Sequence, residues 1–308
     1  MLTDHEVADL VSHSIDLHFH IGEDILPRRY TVDRLVEEER GKVRGIALKS
    51  HSFPAISGVI AAERDASDHV ALIGSVTLNY FLGGFNPSAI YAAAVMTHRY
   101  PTIVWFPTVH AENHLIKSHS AYEIPPDWVK DPAFKSRPKT ELKAIKVVDW
   151  AGNLITKAEQ TLDMMERMNC ILGTGHLSWQ ESEVLAGEAL RRGIPVIVTH
   201  PMQRDIAMPV EVQQRLAAQG AFIEHCYIMY KDRDHEWDYP PAEIVHQIRS
   251  VGVDKVILTS DAGQIRNGSS SESLKEYVRL LEAEGVTQAE LETMLVRNPA
   301  RVLGLGEG

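Results

Sequence analysis

The chain predicts a (β/α)8 TIM barrel with an insertion after the fourth strand. Three observations carry this expectation. Apolar β-type runs alternate with helical patterns almost throughout, as parallel βαβ units require. The length of 308 residues suits one barrel with insertions, so residues 1–308 read as a single domain. Five runs end in residues that can bind a metal: SIDLHFH (His18, His20), IALKSH (Lys49, His51), CILGTGH (His176), IPVIVTHP (His200) and KVILTSD (Asp261). In such a barrel the carboxyl ends of the strands converge on one face, where active sites lie.

Taken in order, the first strand is expected over 14–19, followed by a helix at 32–40 and a second strand at 45–48. Pro54 suits the first turn of a helix over 55–66. A third strand is expected at 71–78, a proline-opened helix at 87–99 and a fourth strand at 102–106. Residues 107–143 are rich in proline, charge and histidine, show no clean period and are too long for an ordinary βα loop. They read as an insertion over the active face, a lid that shapes specificity. AIKVVDWAGNLIT reads as a hairpin turning at Ala151–Gly152–Asn153. A helix over 157–168 follows, with Thr156 and Glu159 in capping-box spacing.

The second half is more regular. Strands are expected at 170–173, 195–199, 221–224 and 256–259, with helices at 180–192, 209–219 and 242–251. Ser178 and Glu181 form a capping-box pattern just behind His176. Gly268–Ser271 reads as a short flexible connection, followed by helices over 273–284 and 288–296, the last capped by Thr287 and Glu290.

Composition narrows the function. With 44% hydrophobic and 24% charged residues the chain is ordinary globular material. A formal charge of −11 argues against nucleic-acid binding, which needs a basic footprint. It leaves an anionic small substrate open, since charge within a pocket can oppose the net charge. No run approaches the ~20 apolar residues of a membrane span. The start MLTDHEVADLVSHS lacks the basic and apolar regions of a signal peptide. Cys170 and Cys226 form no CxxC pair and read as buried free thiols, consistent with a reducing cytoplasm. A homo-oligomer is plausible, although no interface is legible. His5, His13 and His69 read as surface residues.

His18 and His20 alternate along a strand, so both imidazoles face one side and can reach one metal. The plain alternative is two unrelated polar residues at a strand end. His176 and His200 each end an apolar run and precede a helix; a solitary histidine there is usually structural, but two spaced by one βα unit are harder to dismiss. Asp261 needs a partner after its apolar strand, because burying a carboxylate unpaired is costly; a metal supplies one, and an N-cap role is the alternative. Such nitrogen and oxygen donors suit zinc, manganese or a related divalent metal, one or two per chain. Glu224 is placed to orient a ligand. His51, His110, His114 and His225 are candidate substrate or supporting contacts, and ordinary structural histidines otherwise. Trp105, Trp179, Tyr227 and Tyr230 are candidate pocket walls or simply core. Arg28, Arg29 and Arg266 follow strands and suit an anionic group, or are solvated loop arginines. There is no P-loop, no GxGxxG after a strand, no HExxH and no GxSxG elbow, which argues against a serine hydrolase.

The order HxH, His176, His200 and Asp261, with NPARVLGL (Asn298–Leu305) near the end, resembles the amidohydrolase superfamily over essentially the whole chain. The resemblance implies a metal-dependent hydrolase in which His18, His20 and Asp261 bind the more buried metal and His176 and His200 a second. It implies metal-activated water as nucleophile, with Asp261 taking its proton and passing it to the leaving group. The expected reaction is hydrolysis of an amide, cyclic amide or related C–N bond in a small metabolite. A lactonase, a phosphoesterase, a metal-dependent decarboxylase and a non-catalytic metal-binding barrel are the alternatives. One departure stands out. Binuclear members usually bridge their metals with a carboxylated lysine or a glutamate after strand 4, and WFPTVHAENH has no lysine there. Lys49 after strand 2 is a candidate carboxylated bridge, with Glu112 its rival; alternatively Lys49 stays an ammonium that binds or polarises substrate, or simply snorkels to solvent. With no bridge the site would hold one metal, and one of His176 and His200 would act on nucleophile or substrate.

Overall fold

A helix that the sequence reading passes over opens the chain, Asp4–Ser12 (α1). Its signal was present: Thr3 and Glu6 form a reciprocal capping box, and Val7, Leu10 and Val11 give it a buried stripe. The structure, a computed structural model, describes residues 1–63, 70–97, 99–117, 144–228 and 239–306.

Among the described residues, nine strand segments follow the predicted order: β1 (Ile15–His20), β2 (Gly45–Lys49), β3 (Ala71–Ile73), β4 (Ser75–Thr77), β5 (Ile103–Trp105), β6 (Ile171–Gly173), β7 (Val196–Val198), β8 (Phe222–Cys226) and β9 (Val256–Thr259). They pair in parallel in the orders β1-β2-β3 and β4-β5-β6-β7-β8-β9. The expected third strand is thus one track broken at Gly74. A Cβ there would lie 2.5 Å from Ile56 Cδ1, so the helix after β2 presses on the break. The last strand returns to the first through a parallel bridge between Phe19 and Ala262. His20 N donates to Ala262 O (2.8 Å) and Asp261 N to His18 O (2.9 Å). These bonds close the eight-stranded barrel at its carboxyl end, where the site residues lie.

Two apolar layers hold it. Inside, Ile15, Leu17, Ala47, Ile73, Ile103, Trp105, Ile171, Ile197 and Ile257 fill the barrel. Outside, alternate strand residues such as Val104, Leu172, Val198 and Leu258 pack under the helices. This period of two fits parallel strands buried on both faces. The NPAR segment is structural. Its helix, Asn298–Val302, places Ala300 and Val302 against the inner cluster, and Asn298 Nδ2 donates to Val253 O and Val256 O (2.7 Å each). It stops the barrel at the end opposite the site.

Several local expectations are corrected. The helix after the hairpin is Thr156–Arg167 with Ile155 at its N-cap, so Thr156 is already helical and the Thr156–Glu159 box does not form. The hairpin reduces to one antiparallel bridge, Val148–Leu154, around a turn with Gly152 at φ 83°. Gly268–Ser271 is not a flexible connection. Ser269 and Glu272 make a full capping box, and the helix starts at Ser270, where Ser270 Oγ donates to the buried Asp16 (2.7 Å). The last helical stretch runs beyond 296: Gln288–Glu292 continues through a π-turn, Thr293–Arg297, into Asn298–Val302. Of the insertion and lid expected at 107–143, the described part holds a short helix, Glu112–Lys117; residues 118–143 lie outside the described residues. His69 and Tyr230 also lie outside them. Both cysteines are free and buried. No described helix is long and apolar enough to cross a membrane.

Candidate metal centre at the barrel mouth

The centre depends on a fault in β1. Strict alternation would put His18 and His20 on the face opposite Ile15 and Leu17. The pairing of β1 with β2 shifts between Asp16 and Phe19. Such a bulge re-aims side chains. Ile15 and Leu17 therefore face the inner core, Phe19 joins the outer one, and His18 packs over the indole of Trp105 inside the barrel, ring centroids 4.6 Å apart. Trp105 is the floor of the site. Gly173 on β6 makes room for it, since a Cβ at 173 would lie 2.4 Å from the indole.

Above that floor the strand ends converge. Asp261 Oδ1 lies 3.1 Å from His18 Nε2 and 2.9 Å from His20 Nε2. The separations are those of hydrogen bonds, but Oδ1 accepts none with proper direction. His18, His20 and Asp261 thus aim their donor atoms at a shared point and form a buried group able to hold a metal ion. The rings of His18 and His200 lie 6.0 Å apart, and those of His200 and His176 5.1 Å. His20 Nδ1, His176 Nδ1 and both ring nitrogens of His200 are buried without a hydrogen-bond partner. Buried polar atoms are rarely left so. Asp261 (φ 50°) and His200 (φ 26°) are also held in the left-handed region, a strain of about 1–3 kcal/mol each of the kind that concentrates at functional sites.

The second ring nitrogen of His18 is fixed from beneath. His18 Nδ1 lies 3.2 and 3.3 Å from the two oxygens of Glu224, itself fully buried on β8. Thr259 Oγ1 donates to Glu224 Oε1 (3.2 Å). With Nδ1–H given to the carboxylate, Nε2 keeps its lone pair. Lys49 Nζ sits 2.9 Å from that Nε2 and 4.3 Å above the Trp105 ring, and the residue is 1% exposed. Lys49 therefore does not snorkel to solvent.

Burial drives the electrostatics. It holds His20, His51 and His176 well below the usual histidine range and His200 at about 4, so these imidazoles are neutral at pH 7. Burial opposes charge on Asp261 too, but His18 and His20 beside it hold its carboxyl well below the ordinary value. Burial likewise lowers His18, but Asp261 and Glu224 outweigh it and raise its pKa. Burial lowers Lys49.

His51 comes from the loop after β2, its ring 4.7 Å from His20 and 6.2 Å from His176. Its tautomer can be read from a relay the sequence did not reveal. Asn79 Oδ1 accepts from Thr108 N (3.0 Å) and His110 N (3.3 Å), so Asn79 Nδ2 is the donor to Thr108 Oγ1 (2.7 Å). The remaining bond of that hydroxyl is to His51 Nδ1 (2.8 Å), which leaves the ring proton on Nε2. The one available signal was position, since Asn79 follows the third strand.

Other candidates are not brought here. Glu112, at the start of a short helix, is ion-paired with Lys146 (2.9 Å) and so does not join the cluster. His225 alternates with Glu224 and Cys226, which both reach His18, so the pleat turns it to the opposite face of β8. Arg266 is exposed on the loop after β9 and lines an outer cavity of about 520 Å³ with Tyr227 and Glu276. His114 packs on His176 (4.8 Å) and lies 3.3 Å from Asp205, at the rim. His110 packs edge-on against Tyr80 and Phe81.

A model of a family described as of unknown function, DUF6282, matches residues 13–224. Comparison with curated proteins gives no match. Among solved structures, the chain is similar to the probable dipeptidase PvdM from Pseudomonas aeruginosa, with 14% identity, 97% of each chain covered and a TM-score of 0.60. It is similar to a probable 2-pyrone-4,6-dicarboxylic acid hydrolase from Acinetobacter baumannii, with 12% identity, 95% of this chain and 100% of that one covered and a TM-score of 0.55. It is also similar to dihydroorotase from Campylobacter jejuni, with 11% identity, 96% and 84% covered and a TM-score of 0.54. At such identities the likeness is one of fold, and the fold is the barrel that the sequence predicts.

Proposed function

Since the chain belongs to the DUF6282 family, whose description assigns no activity, we propose its function from the mouth of the barrel: a metal-dependent hydrolase acting on an amide, cyclic amide or related C–N bond of a small metabolite. One observation carries the proposal. His18 Nε2, His20 Nε2 and Asp261 Oδ1 converge beside buried nitrogens of His176 and His200 that no protein group satisfies. Such a set fits a divalent cation, and its nitrogen-rich character favours zinc. His18, His20 and Asp261 would hold the first ion, and His176 and His200 the second where two are bound.

A metal there supplies Lewis acidity for the scissile carbonyl and lowers the pKa of water. The chain's own groups do the rest. Asp261 is ionised, and its second oxygen, Oδ2, is left to take the proton of the attacking water and return it to the leaving nitrogen. His51 presents Nε2–H as a neutral donor to the substrate oxygen. Glu224 keeps His18 in the tautomer that frees Nε2. Glu224→Gln is expected to weaken zinc binding about 10–100-fold, measured by competition with a chromogenic chelator, with the fold intact. Unchanged affinity would remove Glu224 from this role.

Lys49 shares its partner with the metal, because one lone pair on His18 Nε2 cannot serve both. The amine must leave that nitrogen when an ion binds, and we propose that it then serves the site as a bridging or substrate-polarising group. Lys49→Ala is expected to lose either metal content or at least about tenfold in kcat. Full metal content together with full activity would eliminate both roles. Buried free thiols support a reducing, cytoplasmic setting. The overall test is turnover by the zinc- and manganese-loaded protein on a panel of amides, cyclic amides, lactones and phosphoesters. Hydrolysis confined to C–N substrates supports the reading. Turnover of lactones or phosphoesters alone reassigns the bond, and failure across the panel overturns it.

A further inference from the structure

Arg28 lies in the loop after β1, and its setting is unusual. Its side chain is 3% exposed and is locked by Asp24, whose side chain is fully buried. Arg28 Nε and Nη2 both donate to Asp24 Oδ2, at 3.2 and 2.9 Å. The same Oδ2 accepts from the backbone N–H of His51 (3.2 Å), while Oδ1 accepts from Ile25 N (2.8 Å) and from the Ser52 hydroxyl. Five donors saturate Asp24. Arg28 is not saturated: among the described residues it makes no hydrogen bond through Nη1. Asp24 thus fixes the guanidinium while its Nη1 end stays unbonded and, unlike the imidazoles of the centre, is not sealed off, so that end is open to a ligand.

We propose that Arg28, aimed by Asp24, binds a carboxylate of the substrate, so that the enzyme takes small carboxylate-bearing amides. This deepens the hydrolase reading and rests on it for the word substrate. The free end of the guanidinium, Nη1 with the second N–H of Nη2, offers two parallel donors that match the two oxygens of a carboxylate. Asp24 fixes where that fork lies. Because its Oδ2 also holds the backbone of His51, and the His51 ring lies 4.7 Å from that of His20, the anion subsite is tied to the reacting end by one short stretch of chain. The sequence offered Arg28 beside Arg29 and Arg266 as a candidate for an anionic group, and the buried Asp24 that orients Arg28 is found only in three dimensions.

The test is a calorimetric titration of glutarate and of its neutral diamide, glutaramide. Both go into the metal-loaded protein and into the His18→Ala/His20→Ala variant, where no metal site competes for the anion. Glutarate is expected to bind at least about tenfold more tightly than glutaramide in both proteins. Arg28→Gln is expected to lose about tenfold or more for glutarate and nothing for glutaramide, and Arg28→Lys, which keeps the charge without the fork, recovers only part. Asp24→Asn is the near-isosteric second variant, and it weakens glutarate by loosening the fork. Equal binding of glutarate and glutaramide by the unaltered chain, or equal glutarate binding by it and a folded Arg28→Gln, overturns the proposal. Arg28-dependent glutarate binding without turnover on the panel rejects the hydrolase and keeps the subsite. Turnover without a preference for carboxylates rejects the subsite alone.

Discussion

The His18→Ala/His20→Ala variant is expected to lose its metal and about 10^3-fold or more of kcat/KM, while remaining folded. Both imidazoles aim Nε2 at Asp261 Oδ1, so their removal leaves a single carboxylate oxygen where three donors converged. One oxygen does not hold zinc against solvent. Without the ion, polarisation of the substrate and acidification of water are both lost, which sets the size of the effect. The fold should survive because the closing bonds at this point are main-chain ones, His20 N to Ala262 O and Asp261 N to His18 O, and do not use the rings. The check is elemental analysis beside steady-state kinetics, with circular dichroism to establish folding. Native metal content and turnover in the folded variant would remove the basis of the mechanism.

Gly263→Ala is expected to destabilise the protein by about 4 kcal/mol or more, enough to leave a marginal domain largely unfolded. Gly263 sits at φ 108°, and a Cβ there would lie 1.9 Å from His20 O and 2.8 Å from His20 C. These are backbone atoms of the strand that closes the barrel, with no flexible side chain to give way. Gly263 O also accepts from Arg29 N (2.9 Å), so moving the loop breaks a second attachment. Gly285→Ala is the control: φ is 81°, but nothing lies within 4 Å of the added carbon, so only the left-handed penalty of about 1–2 kcal/mol applies. Urea unfolding of both variants separates the two terms. Equal losses would mean that the seam yields and closure is not under this constraint.

Sequence and structure divide at identifiable places. The order of strands, the barrel class and the strand-end positions of His18, His20, His176, His200 and Asp261 were legible, because hydrophobic period and strand length are local properties that the chain carries with it. Capping boxes at Ser178 and Thr287 were likewise local and are present. The Thr156 box is absent because the helix starts one residue early, and the Ser269 box was overlooked because its serine-rich run reads as loop until Asp16 and Glu39 are seen to accept from it.

For the site, the sequence supplied the metal-binding residue types but not their arrangement. It did not separate Lys49 from Glu112, whereas the structure puts Lys49 against His18 and Glu112 against Lys146. It offered His225 beside Glu224, and only the pleat of β8 decided which of the two faces the centre. It did not show the bulge in β1, the Asn79–Thr108–His51 relay or the hold of Asp24 on Arg28. What the sequence by itself determined was which elements form and which chemistry their ends carry, since those follow from neighbours along the chain. Which ends meet, which ring nitrogen is free and which charges are paired were decided by the tertiary structure alone, because each depends on a partner from another strand, brought within about 3 Å only when the barrel closes.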